Sequence, residues 1–128
     1  MRIFVCEFVT GGGLYRGPLP ESLAREGGLM LEALLADLVE VSDVQLVTSR
    51  DARLPALGGQ AEVVMVGAAD NAWEIWEQCI RQSDAVWPIA PESDGVLEQL
   101  SRLALKHGKC LLNSTPVSVA IAASKQKT

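Results

Sequence analysis

The sequence predicts an open α/β fold: a five-stranded, mostly parallel sheet with helices on both faces. Three observations predict it. Short apolar runs rich in β-branched residues alternate with longer segments whose apolar positions recur every three to four residues. Glycine and proline mark the breaks between them. The length of 128 residues, 48% of them apolar and 21% charged, suits one domain with a continuous core.

Arg2 to Val9 (RIFVCEFV) reads as a buried strand, ended by Thr10-Gly11-Gly12-Gly13. A loop through Gly17-Pro18-Leu19-Pro20 leads to the first helix, where Pro20 suits the entry and Glu21 the positive end of the dipole. The inward stripe of that helix is expected at Leu23, Gly27, Met30, Leu31, Leu34, Leu35 and Leu38, with Arg25 and Glu26 facing out. Val44 to Val47 reads as the second strand, and Asp51 to Gln60 as a loop. Glu62 to Val66 (EVVMV) follows as the third strand. Asp70 is expected to cap a helix burying Ala72, Ile75, Trp76, Cys79 and Ile80. Asp84 to Ile89 makes a fourth strand, with Pro88 suited to an edge or terminus. Ser93 caps the next helix, which carries Val96, Leu97, Leu100, Leu103 and Ala104 inward and ends at Gly108. Lys109 to Leu112 is the fifth strand. Ser114 or Thr115, with Pro116, opens a last helix. That helix is apolar nearly all round and needs cover on every side. The expectation is either deep docking or a chain that continues past Thr128.

Composition excludes several classes. Eleven basic against 16 acidic residues leave a net charge of −5, the wrong sign for a non-specific nucleic-acid binder. No apolar run of about 18 residues is present to span a membrane. The short first run turns acidic at Glu7, unlike a signal peptide. A soluble, cytoplasmic protein is expected. Cys6, Cys79 and Cys110 are far apart, sit in apolar segments and form no Cys-x-x-Cys pair, so free buried thiols are expected. The lone His107 precedes Gly108 at a helix end, where a basic side chain suits the dipole; that reading is preferred to a metal or catalytic role.

Candidate chemistry lies at the carboxyl ends of the strands, where open α/β sheets place ligands. The contiguous Gly11, Gly12 and Gly13 do not follow G-x-G-x-x-G, and the helix starts only near Glu21, so a flexible substrate-facing loop is expected rather than a phosphate cradle. Glu7, an acid in an apolar run, reads in three ways: a solvated strand end, a carboxylate holding a substrate amine, or an anchor for the loop amides. Glu92 follows a strand in Ile89-Ala90-Pro91-Glu92; with Asp94 it suits a helix N-terminus and also sits on the ligand-binding edge.

These residues carry a resemblance. The first strand with Thr10-Gly11-Gly12-Gly13, then Arg25-Glu26-Gly27 with Met30-Leu31 and Leu34-Leu35, is similar to ATP-grasp ligases of the tyramine–glutamate ligase type. Ala90-Pro91-Glu92 with Gly95 and Leu97, and Asn113-Ser114 followed by Ser124-Lys125, extend it. The resemblance covers the part that precedes the catalytic module: a Rossmann-like pre-ATP-grasp domain over residues 1–115, with 116–128 as a helix leading into an absent ATP-grasp domain.

The resemblance implies the substrate-side domain of a ligase that joins a carboxylate, an amino acid such as glutamate, to an amine through an acyl phosphate, using ATP and Mg²⁺. It implies Lys125 and Glu92 on the nucleotide side, although Ser124 stands where the family has aspartate. Glu7, Thr10, Gly11, Gly12 and Gly13 are the substrate-side candidates. The isolated chain is expected to be inactive and to bind no cofactor, with the catalytic domain as its partner; self-association as a homodimer is possible for it. The alternatives are a stand-alone α/β partner-binding module and a small nucleotide- or flavin-binding domain.

Overall fold

All the strands run in one direction and lie in the order β3-β2-β1-β4-β5: β1 (Arg2–Glu7), β2 (Gln45–Asp51), β3 (Glu62–Val66), β4 (Ala85–Ile89) and β5 (Cys110–Leu111). The helices are α1 (Glu21–Leu38), α2 (Ala72–Arg81) and α3 (Val96–Lys106). This computed structural model describes residues 1–90 and 95–112. The expected Glu92, the Ser93 cap, Lys125 and the last helix lie outside the described residues.

Alternation along β1 decides how the sheet is covered. Phe4 and Cys6 join Val47, Val66 and Val86 under α2 and α3, whose Trp76, Ile80 and Leu100 complete that layer. Ile3 and Val5 face the other way, with Leu46 and Ala85, under Leu31 and Leu38 of α1. A buried central strand with helices on both sides is why β1 reads as a continuous apolar run. The β2–β3 crossover differs. Residues 52–61 contain no helix, and only Leu57 and Ala61 reach the α1-side core.

Local chemistry sets several boundaries. Val86 O accepts from Leu112 N–H at 2.8 Å, and the next rung toward β5 would need an N–H from Pro88. Proline has none, so the β4–β5 ladder is short. Asn71, not Asp70, caps α2: its Oδ1 accepts from Trp73 N–H (3.0 Å) and Glu74 N–H (3.4 Å). Asp70 instead closes the preceding turn by accepting from Gly67 N–H at 2.7 Å. His107 ends α3 and joins it to α2 through a 2.8 Å contact between Nε2 and Glu77 Oε2.

The expected stripe of α1 is narrower than its sequence suggests. Gly27, Leu31 and Leu38 are buried, whereas Leu23 and Met30 are about half exposed. They lie toward the open carboxyl edge of the sheet, where the next layer of core ends. Among the described residues, no helix is long and apolar enough to cross a membrane.

The cysteines divide two to one. Cys6 and Cys79 are buried, but Cys110 is exposed because β5 is the outer strand beyond β4. Burial raises the Cys6 thiol well above its ordinary range and pushes Cys79 up to about 11. Titration of the native protein with a thiol-specific disulfide reagent should therefore modify Cys110 rapidly, with Cys6 and Cys79 reacting only after denaturant is added. Rapid labelling of all the thiols in the native state would contradict this packing.

Candidate functional site

From β1 the chain crosses to β2 and β3 on one side of the sheet, then to β4 and β5 on the other. The carboxyl ends of β1 and β4 therefore flank the point where the winding reverses, the position at which such sheets leave a crevice. In register, Glu7 lies opposite Ile89 there, and Phe8 N–H donates to Ile89 O at 2.8 Å.

In place of a flexible loop, Val9–Gly13 forms a single π-type turn closed by a 2.8 Å bond from Gly13 N–H to Phe8 O. Glu7 holds its start. Val9 N–H donates to Oε2 (3.2 Å), while Thr10 N–H and Thr10 Oγ1 donate to Oε1, both at 2.7 Å. The turn is held equally from the α2 side. Gly11 O accepts from Ser49 Oγ (2.8 Å) and from Trp76 Nε1 (3.1 Å), and Trp76 Nε1 also lies 3.0 Å from Ser49 Oγ. Gly12 adopts φ +107° against Val66, where an added Cβ would sit 2.7 Å from the valine Cβ. A side chain is excluded there by both conformation and space.

Glu7 is 2% exposed, and α1 can pass over it only because position 27 is glycine: a Cβ on Gly27 would run into Glu7 Oε1. A crevice of about 230 Å³ opens beside this contact. Glu7, Glu26, Gly27, Met30, Ile89 and Ala90 are among the residues that line it; among the described residues two carboxylates line it and no cationic side chain does.

The sequence candidates fall into two groups. Glu7, Thr10, Gly11, Gly12 and Gly13 are brought together at the switch point, with Thr10 and Gly11 buried by the protein itself. Glu92 and Lys125 lie outside the described residues. ATP and Mg²⁺ do not fit the described part of the site. The first amides of the turn, which a phosphate would need, already hold the Glu7 carboxylate. Among the described residues, no group of three or more His, Cys, Asp or Glu side chains is placed to hold a metal ion.

A second clamp at the same edge was not legible in the sequence. Asp51, buried at the end of β2, accepts from Arg53 N–H (2.9 Å), Nε (3.0 Å) and Nη2 (2.9 Å). The Arg53 guanidinium also donates to Gly17 O (2.6 Å) and Leu14 O (2.8 Å), tying down the segment after the π turn. An Asp-x-Arg triplet in a loop looks like surface charge; only its burial distinguishes it. Gly27 did leave a signal, since glycine within the apolar stripe of a helix implies close approach.

The hydrogen bond from Arg53 holds the Asp51 carboxyl below its ordinary value near 3.8. A depressed folded-state value stabilises the fold above the unfolded value, and this contribution is lost as pH falls through the folded one. Melting temperature should therefore drop below about pH 4 more steeply in the native protein than in Arg53→Gln. Parallel acid profiles would show that the clamp is not coupled to folding.

Residues 44–119 match a family model described as the pre ATP-grasp 3 domain. No curated protein matches the sequence. The fold is similar to the crystal structure of a protein from Archaeoglobus fulgidus ascribed to the ATP-grasp superfamily, with a TM-score of 0.67 and 22% identity. The match covers 94% of this chain and 36% of that one, so this chain spans about a third of that protein's length. At this identity the likeness is one of fold.

Proposed function

This chain belongs to the pre-ATP-grasp 3 domain family, and we propose from that premise that it forms the substrate side of an ATP-dependent ligase whose nucleotide and metal chemistry resides in a separate ATP-grasp module. The parent reaction is the joining of a carboxylate, an amino acid such as glutamate, to an amine. The domain contributes a rigid wall to the cleft and, at the β1/β4 switch point, the pocket that receives the amine.

The observation that carries this reading is the sign of the charge at that pocket. Among the described residues Glu7 and Glu26 line it with no lysine or arginine, so this lining favours an ammonium group and disfavours a phosphate or a carboxylate. Glu7 is committed to the π turn; Glu26, exposed at the rim, is free to approach a ligand. Leu23 and Met30, half exposed, supply an apolar rim for the body of the amine.

The test uses the parent ligase, scored by ADP formation that requires both a carboxylate and an amine. Glu26→Gln should raise KM for the amine about tenfold, the loss of one charge-assisted contact, while KM for ATP stays unchanged. An unchanged amine KM removes the pocket assignment. ADP formation that needs no amine would remove the ligase reading itself.

A further inference from the structure

A larger cavity, about 630 Å³, lies away from the switch point, between α1, β2 and the helix-free crossover. Leu35, Val39, Leu46 and Leu57 form apolar walls, and Arg50 is the one cation in its lining among the described residues. Arg50 is only 7% exposed. Its Nε and Nη2 both donate to a single neutral acceptor, Pro55 O, at 3.2 and 3.1 Å. Nη1 is buried and has no acceptor among the described residues.

A buried guanidinium normally has an anion as partner. No carboxylate of the described residues forms an ion pair with Arg50. Asp51, its neighbour in sequence, is engaged by Arg53. Glu32 lines the cavity, yet it stays outside ion-pair distance on the exposed side of α1.

We propose that this cavity is a binding site for a small organic monocarboxylate with an apolar body. The carboxylate would seat on the Arg50 guanidinium and compete with the shared Pro55 carbonyl. As the crossover shifts it would bring an acceptor to Nη1, which solvent does not reach in this structure. A charged planar acceptor is the stronger partner for that fork. The volume lies in the range of small-molecule sites, about 300–1,000 Å³. One cation, with Glu32 beside it, selects a monoanion over a doubly charged phosphate. Access runs through the crossover. Residues 55–61 form no backbone-to-backbone hydrogen bond, and the exposed Gly58 and Gly59 within them can move at little cost. This site is separate from the amine pocket and does not depend on the ligase reading.

Amide NMR shifts of the ¹⁵N-labelled chain, titrated with 3-phenylpropionate and with the neutral 3-phenylpropanamide, test it. The carboxylate should saturate shifts at Leu57, Gly58, Gly59 and Leu35 with a dissociation constant on the order of 1 mM, as suits about ten heavy atoms. Arg50→Met should weaken it at least about tenfold, the scale of one charged contact. Ala36→Trp, a substitution at an exposed lining residue, should block the cavity while leaving the guanidinium intact, and it keeps the test decisive if Arg50→Met does not fold. The proposal is overturned by equal binding of acid and amide, by undiminished binding to Ala36→Trp, by shifts centred on Gly27, or by no saturable shift at about ten times that concentration.

Discussion

Replacing Glu7 with alanine should destabilise the domain by about 3–5 kcal/mol, because buried donors at about 1–3 kcal/mol each lose their acceptor and entering water restores only part. The donors are Val9 N–H, Thr10 N–H and the Thr10 hydroxyl, all directed at one carboxylate. Glu7→Gln is the milder change. Its carbonyl can keep the two bonds from Thr10, but its amide nitrogen then faces Val9 N–H, donor against donor. Urea unfolding should rank native above Gln above Ala.

A second substitution sharpens the test. Gly27→Ala alone places a methyl group against Glu7 Oε1 and should cost about 1–3 kcal/mol by overpacking. In the Glu7→Ala background the same methyl enters vacated space, so the double variant should lose less than the sum of the single losses. Strict additivity would show that a methyl group at position 27 does not meet the Glu7 side chain, contrary to the structure.

Trp76→Ala should remove about 3–5 kcal/mol, a large share of the 5–15 kcal/mol that stabilises a typical domain. Trp76 is fully buried, stacks edge-on with Trp73 at 4.7 Å between ring centroids, and packs near Phe8 at 6.1 Å. Its indole N–H also reaches Gly11 O, so the side chain joins the α2 layer to the π turn. Trp76→Phe separates these roles: it keeps most of the ring volume and should cost about 1–2 kcal/mol from the lost hydrogen bond. In that variant, hydrogen exchange at Gly12 and Gly13 should accelerate more than at β1, because the turn loses a tether while the sheet keeps its ladder. Equal acceleration at both would mean that Trp76 only fills space.

Much of the fold was legible because each strand and helix carries its own periodicity. The apolar run of β1, the 3–4 spacing of α2 and the glycine and proline breaks each report burial locally. The boundaries shifted where a side chain chose between equivalent partners. Asp70 and Asn71 are adjacent, both competent caps, and only the turn at Gly67 decides which of them faces the helix. Cys110 looked buried from its apolar neighbours, but a strand at the sheet margin leaves one flank open whatever its sequence.

At the candidate site the same division holds. The amino-acid order alone established the α/β class, the pre-ATP-grasp resemblance and the placing of Glu7 beside the glycine segment, since all of these follow from local pattern and neighbouring residues. Tertiary structure alone decided what Glu7 does for the turn, why Gly27 has no side chain, where the Asp51–Arg53 clamp closes, and that Arg50 is buried with no ion-pair partner among the described residues. Each of those depends on groups far apart in the chain or on solvent exclusion, and a carboxylate or guanidinium carries no mark in sequence of how much water it will keep.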